Sequence, residues 1–289
     1  MRFAIAACDR YLGVFEEFLK GGWEPVKLFS VPATTHLDTN RKVIELAQKH
    51  RINIQLSRMS EHDLLELGDR GCETLVIASY NWRIGNWRPY LKHAINFHPS
   101  SLPEARGPYP MTRAILERRE SWAVTCHKIE QEFDAGDILA SETFPLNDHE
   151  CHESLNLKLQ MASARLARHL AGQFPMLWDQ AEPQGTGSYW SYFTEEDRTI
   201  NFPNTVEDIL VQVRAFGSLE CIACINDVRI NVRRVIGWTE AHDRIPCRVV
   251  HTNNQTIVVA TPDGYIAIVE WSLSDGPLSS AFLEQASFV

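Results

Sequence analysis

The sequence predicts an α/β fold: an open, mostly parallel sheet with helices on both faces, followed by a small C-terminal β-barrel. Three observations predict it. Short apolar runs alternate with helical stretches through the first half of the chain. One of these runs, Thr74-Leu-Val-Ile-Ala-Ser79, is almost wholly apolar, as befits a parallel strand covered on both faces. From about Ile200 the texture changes to short strands separated by turn signals.

The elements follow in order. Phe3–Ala7 and Val26–Val31 read as strands, and Asn40–His50 as a helix. Ile52–Leu56 is a short strand, Glu61–Leu67 a helix, and Thr74–Ser79 the most strand-like segment of all. Ile95–Phe97 is short and leads into a polar loop. A helix near Met111–Leu116 precedes the strands Ala123–Lys128 and Ile138–Phe144, and the helix Ser154–Gly172 closes the first domain. Pro175, Pro183, Gly185 and Gly187 mark a linker. The division is therefore 1–175, a linker at 176–199, and 200–289. In the last part a helix at Thr205–Ala215 precedes strands at Cys221–Ile225, Val228–Ile236, Cys247–His251, Thr256–Thr261 and Tyr265–Trp271. Asn226-Asp227 and Pro262-Asp263-Gly264 supply turns between them, and strands at this spacing suggest an OB-like barrel.

Composition excludes several classes. With 44% hydrophobic and 22% charged residues, the 289-residue chain is an ordinary globular protein without a disorder signature. The apolar run at Met1–Ala7 is too short for a signal peptide or a membrane helix, so a cytoplasmic protein without a membrane partner is expected. The seven cysteines are odd in number and lie mostly in apolar runs, as buried free thiols in a reducing compartment do. Cys221 and Cys224 form a lone Cys-x-x-Cys within a strand, and His149 and His152 fall in a loop; neither pair is expected to hold a metal. The net charge of −9 argues against a nucleic-acid partner, because phosphate neutralisation calls for a basic face. No Gly-x-Gly-x-x-Gly follows the first strand; Ala7-Cys8-Asp9-Arg10-Tyr11-Leu12-Gly13 would shield the backbone from a dinucleotide pyrophosphate.

The chemistry-bearing stretch is Asn96-Phe-His-Pro-Ser-Ser-Leu-Pro103. Asn96 and His98 are two apart at a strand end, so alternation puts both on one face. Ligands bind at the carboxyl ends of strands in open parallel sheets. Spacing alone leaves open a capping asparagine and a loop histidine. The second stretch is Asp134-Ala-Gly136, between two strands, where the glycine permits a tight loop that aims a carboxylate inward.

Together these elements resemble a known family. Asn96 to Pro103, then Arg106-Gly107, Pro110, Val124-Thr125-x-His127 and Asp134-Ala-Gly136 are similar to the 10-formyltetrahydrofolate-dependent formyltransferases. The resemblance covers most of residues 1–170. Arg198-Thr-Ile200 and Val213-Arg-Ala-Phe216 extend it, more weakly, toward the tRNA and sugar-nucleotide members. It implies a Rossmann-like catalytic domain, 10-formyltetrahydrofolate as co-substrate without a metal, and a catalytic trio at Asn96, His98 and Asp134. In that trio Asn96 would donate to an oxyanion, His98 would move a proton, and Asp134 would hold His98 and favour its cationic form. It also implies a pterin pocket lined by Trp82, Arg83 and Ile84 on one side and Glu130, Gln131, Glu132 and Phe133 on the other. Core packing is an equally open reading of Trp82 and Ile84. Ala123 stands where the family often has glycine, and Ser101 where leucine is common; neither touches the trio.

The acceptor is less defined. The stretch Val31–Lys42 has only two adjacent basic residues, where methionyl-tRNA formyltransferases carry a basic insertion. Ser79-Tyr-Asn-Trp-Arg83 resembles sugar-nucleotide enzymes. The expected substrate is thus a small amine, first an amino-sugar nucleotide. Methionyl-tRNA formyl transfer and a 10-formyltetrahydrofolate hydrolase or folate-binding homologue remain as alternatives, and a homodimer is left open.

Overall fold

The computed structural model describes residues 1–31, 39–80, 82–253 and 255–273. These divide into two compact units, the first comprising Met1–Pro110, Glu120–Pro145 and Asn156–Trp190. The second comprises Met111–Arg119, Leu146–Leu155 and Ser191–Val289.

In chain order the first part runs β1 (Arg2–Ala7), α1 (Leu12–Lys20), β2 (Glu24–Phe29), α2 (Arg41–Lys49), β3 (Asn53–Gln55) and α3 (Glu61–Asp69). It continues with β4 (Thr74–Ala78), β5 (His93–His98), α4 (Pro110–Leu116), β6 (Ser121–Lys128), β7 (Ile138–Pro145) and α5 (His152–Asp179). The strands form one seven-stranded sheet in the order β3-β2-β1-β4-β5-β6-β7. β1 to β5 are parallel, whereas β6 runs antiparallel to both β5 and β7. The order reverses between β1 and β4, which is where an open α/β sheet leaves a crevice.

Right-handed crossovers place α1 and α3 on opposite faces, and the packing agrees. On one face Phe3 of β1 and Phe97 of β5 meet Phe18 of α1, and Phe174 of α5 meets Trp23. On the other, Leu64 and Leu67 of α3 share a core with Ala4, Ala6, Leu75 and Ile77. The sequence expectations did not include α1, whose signal is broken by Gly13. That glycine has a packing reason: a Cβ there would press on Ala164 of α5 at 3.0 Å, so the two helices cross closely. Helix α3 starts at a capping box, with Ser60 Oγ accepting from Asp63 N at 3.3 Å and Asp63 accepting from Ser60 N at 2.8 Å. Asp63 also binds Lys27 of β2 at 2.9 Å, both nearly buried.

The second unit carries α6 (Glu195–Arg198), α7 (Val206–Phe216) and β8 to β12 (Cys221–Ile225, Val228–Thr239, Val249–Thr252, Ile257–Ala260, Gly264–Leu273). The strands form an antiparallel sheet in the order β10-β11-β12-β9-β8. Inward residues Ile230, Val232, Val259, Ile266 and Ile268 pack with Ile209, Val213 and Phe216 of α7. Asn226 and Asp227 both have positive φ, as a two-residue hairpin with the favoured twist requires. Cys221 is buried and Cys224 exposed, on opposite faces of β8.

The stretch expected as a linker, 176–199, contains the division between the two units, at Trp190 and Ser191, and its first half is tied by helix and backbone pairing. Residues up to Asp179 complete α5, which is interrupted by non-helical Gln173 beside Pro175. Glu182 then pairs with Ile138 of β7, and Tyr189 bridges to Arg106. A Pro/Gly-rich segment can be tied by backbone hydrogen bonds that composition does not reveal.

Candidate active site

β5 places the first two site residues. In its register with β6, Asn96 faces His127 and His98 faces Thr125. Asn96 and His98 point away from the aromatic face that Phe97 enters. The loop after β5 is hooked to β6: Thr125 Oγ1 donates to Ser100 O at 2.7 Å and Trp122 Nε1 donates to Pro99 O at 2.8 Å. Asp134 arrives from the loop between β6 and β7 with φ +55°. Gly136 is required there, because a Cβ would collide with the Lys128 carbonyl.

The three expected catalytic residues converge, and His127 joins them. Asp134 Oδ1 lies 3.4 Å from His98 Nδ1, 3.4 Å from Asn96 Nδ2 and 3.7 Å from His127 Nε2. Asp134 Oδ2 accepts from the Gly107 N–H at 3.0 Å. Asn96 Nδ2 also lies 3.1 Å from His127 Nε2. His98 Nε2 is 2.9 Å from Ala105 O, and His127 Nδ1 is 2.7 Å from Lys128 O.

Carbonyl oxygens only accept, so these contacts assign the protons. His98 carries its hydrogen on Nε2 and His127 on Nδ1. The remaining His127 nitrogen accepts from Asn96, while the remaining His98 nitrogen turns a lone pair toward Asp134. Burial would raise the Asp134 carboxyl, but a hydrogen bond from the protonated His127 ring, the charge of a protonated His98 and the Gly107 N–H overcome it as the solution is acidified and hold it at about 2. Burial pushes the His98 imidazole down from its ordinary value, and Asp134 and the Ala105 carbonyl offset this only in part. Asp134 favours the cationic form of His98, and desolvation outweighs it in the resting protein, so the ring is neutral at neutral pH until it takes up a proton.

The two expected pterin walls also meet. Arg83 donates to Gln131 O at 2.9 Å and lies 5.6 Å from the centre of the Phe133 ring, which is 59% exposed. Trp82 contacts Tyr80 edge to face, and Ile84 packs partly against the α3-side core, so Ile84 has the packing role as well. Glu130 pairs with Arg88 at 2.5 Å, and Glu132 is exposed.

Two family models match the chain in succession. The formyl transferase model matches residues 37–167, and the model of the formyl transferase C-terminal domain matches residues 193–282. The chain belongs to the formyl transferase family. Among curated relatives, the methionyl-tRNA formyltransferase of Treponema denticola is 36% identical over 42% of this chain and 38% of its own length. That of Anaplasma marginale is 28% identical over 63% of this chain and 61% of its own. The chain thus spans from about two fifths to three fifths of these relatives. Among solved structures, an N-formyltransferase from Helicobacter canadensis in complex with folinic acid and dTDP-3-aminofucose superimposes with a TM-score of 0.67 at 17% identity. It is covered over 99% of its length by 93% of this chain. HypX from Aquifex aeolicus, in complex with tetrahydrofolic acid, gives 0.67 at 16%, with 97% of this chain covering 46% of that one. Both likenesses concern the fold.

Sequence reasoning placed His127 within the family motif without giving it a role, and did not single out Ala105 or Gln184. The cross-strand pairing of Asn96 with His127 was the available signal, since facing residues of antiparallel strands share a side.

Proposed function

We propose that this member of the formyl transferase family moves a formyl group from 10-formyltetrahydrofolate to the amine of a small molecule, with an amino-sugar nucleotide as acceptor. The observation that carries the reading is the convergence of Asn96, His98 and His127 on one oxygen of an ionised Asp134. The facing segments 82–84 and 130–133, with exposed Phe133 and the Arg83 guanidinium, suit a flat heteroaromatic ring.

Each residue then has a task. His98 takes the proton that the amine loses as its nitrogen bonds to the formyl carbon. Nδ1 receives it, and the ring gains the hydrogen bond to Asp134 that the resting tautomer cannot make. Asp134 stabilises the imidazolium so formed. Asn96 turns an N–H from His127 or Asp134 toward the oxyanion; one such donor is typically worth 10²–10³ in rate, about 3–4 kcal/mol. His98 finally returns the proton to the folate nitrogen as its bond to the formyl carbon breaks, so the enzyme ends as it began.

Charge supports a small acceptor. The chain carries −9 overall, and Arg41, one of the two adjacent basic residues after β2, is paired with Glu45 at 2.8 Å. Positions 32–38 of the segment weighed as a basic insertion lie outside the described residues. A second reading, methionyl-tRNA as acceptor, is favoured by the names of the curated relatives. The test is a screen of amines with 10-formyltetrahydrofolate, following tetrahydrofolate release. Amino-sugar nucleotides should give the highest kcat/KM. Salt-sensitive formylation of initiator methionyl-tRNA in preference to them would move the acceptor to the second reading. No release with any amine would overturn formyl transfer.

A further inference from the structure

The Asp134 loop lacks an apolar anchor. Gln131, Glu132 and Phe133 are all exposed, and Asp134 itself takes a left-handed backbone. Its position has to come from hydrogen bonds, and one side chain outside the loop supplies two of them. Gln184 Nε2 donates to Asp134 O at 2.8 Å and to Gly136 O at 2.7 Å. Its Oε1 accepts from Arg106 Nε at 3.0 Å. Arg106 immediately precedes Gly107, whose N–H binds the Asp134 carboxylate. One amide therefore joins the loop that carries Asp134 to the loop that receives it.

The chain around Gln184 is itself fixed. Glu182 exchanges backbone hydrogen bonds with Ile138 at 2.8 and 2.9 Å. Ser188 Oγ accepts from Ala105 N at 2.9 Å, next to the carbonyl that binds His98. Arg106 N donates to Ser188 O at 2.9 Å, and Trp190 N to Arg106 O at 2.7 Å. The segment 182–190 thus touches both loops and braces them together.

We infer that Gln184 is a positioning residue: by binding the Asp134 and Gly136 carbonyls while engaging Arg106, it sets the Asp134 carboxylate in register with His98. This rests on the proposed formyl transfer for its kinetic consequence and on geometry alone for its structural one. Misplacement of a site by about 1 Å can cost on the order of 10² in rate.

The test uses Gln184→Met, which keeps the length and removes all three bonds, and Gln184→Glu, which keeps an acceptor for Arg106 and removes both donors. Two readouts are taken on the full chain. The first is the Asp134 carboxyl titration by carbon-13 NMR, which needs no substrate. It should rise from about 2 toward the ordinary 3.8 in both variants. The second is kinetics with an amine found active in the screen. Turnover should fall about tenfold to a hundredfold, with both KM values within about threefold. A merely structural clasp would lower the melting temperature and leave the titration and the turnover per folded molecule unchanged. That result in either folded variant overturns the proposal. If the wild-type chain transfers no formyl group to any amine, the titration alone decides on Gln184, and the functional reading fails separately.

Discussion

The two walls of the site are held in different ways. Strand β5 lies against an aromatic core: Phe97, 2% exposed, meets Phe18, which meets Phe3 and Trp23. The loop that brings Asp134 has three exposed residues before it and is held by Gln184 and the Gly107 N–H. Asn96 and His98 are therefore fixed by apolar packing on the far side of their strand, and Asp134 by polar bonds. Damage to the first wall should appear as lost stability, and damage to the second as lost rate in a folded protein.

The largest effect is expected behind the first wall. Phe97→Ala removes a buried ring between the sheet and α1, and such truncations cost about 3–5 kcal/mol. Urea unfolding measures it. A loss below about 1 kcal/mol would mean that the aromatic core does not hold β5, and the comparison would collapse.

His98→Ala, on the same strand but the opposite face, should leave the chain folded and lower turnover by at least about 10². Circular dichroism and steady-state kinetics on one preparation separate the two effects. Near wild-type kcat in a folded variant would falsify the catalytic assignment.

Asp134→Asn tests the second wall. It keeps volume and hydrogen bonding but removes the charge that steadies a protonated His98, so kcat should fall more than KM rises. A pH effect accompanies it. The Asp134 carboxyl is held below its ordinary 3.8, at about 2, so its stabilisation is full above pH 3.8 and is lost as pH falls through 2. Relative to the wild type, the variant should lack about 2 kcal/mol near neutrality and less as the solution is acidified. A stability difference that is constant across that window would refute the ionised state assigned here.

The same contrast explains what was legible in the sequence. Thr74–Ala78 could be read because a strand buried on both faces is apolar at nearly every position, here all but Thr74. Asn96 and His98 could be read because strand alternation is rigid. Helix α1 was missed because Gly13 serves its close crossing with α5 at Ala164, a long-range fact. Gln184 was missed for a similar reason: it lies inside a segment whose prolines and glycines signal a linker, and its partners lie 48, 50 and 78 residues away. The outcome at His98 could not be read, because a sequence shows a neighbouring carboxylate without showing the burial that outweighs it.

The smallest expected effect concerns the outer edge of the second wall. Arg83 and Phe133 are both exposed, so Arg83→Met should change stability by less than about 0.5 kcal/mol. What it removes is the bond to Gln131 O and the guanidinium over the Phe133 ring. An exposed cation–π contact is worth about 0.5–1 kcal/mol and a neutral hydrogen bond about 1 kcal/mol. If these contacts hold the two segments at the spacing a pterin ring needs, the loss falls on binding. KM for 10-formyltetrahydrofolate should rise by roughly fivefold, equivalent to about 1 kcal/mol, while kcat at saturation stays within about twofold. Equilibrium titration with tetrahydrofolate should show the same change in affinity. Unchanged folate affinity with a lower kcat would mean that the 83–131 contact serves Asp134, three residues further on, and that the pterin lies elsewhere. The two walls would then be one hydrogen-bonded loop system acting on the carboxylate.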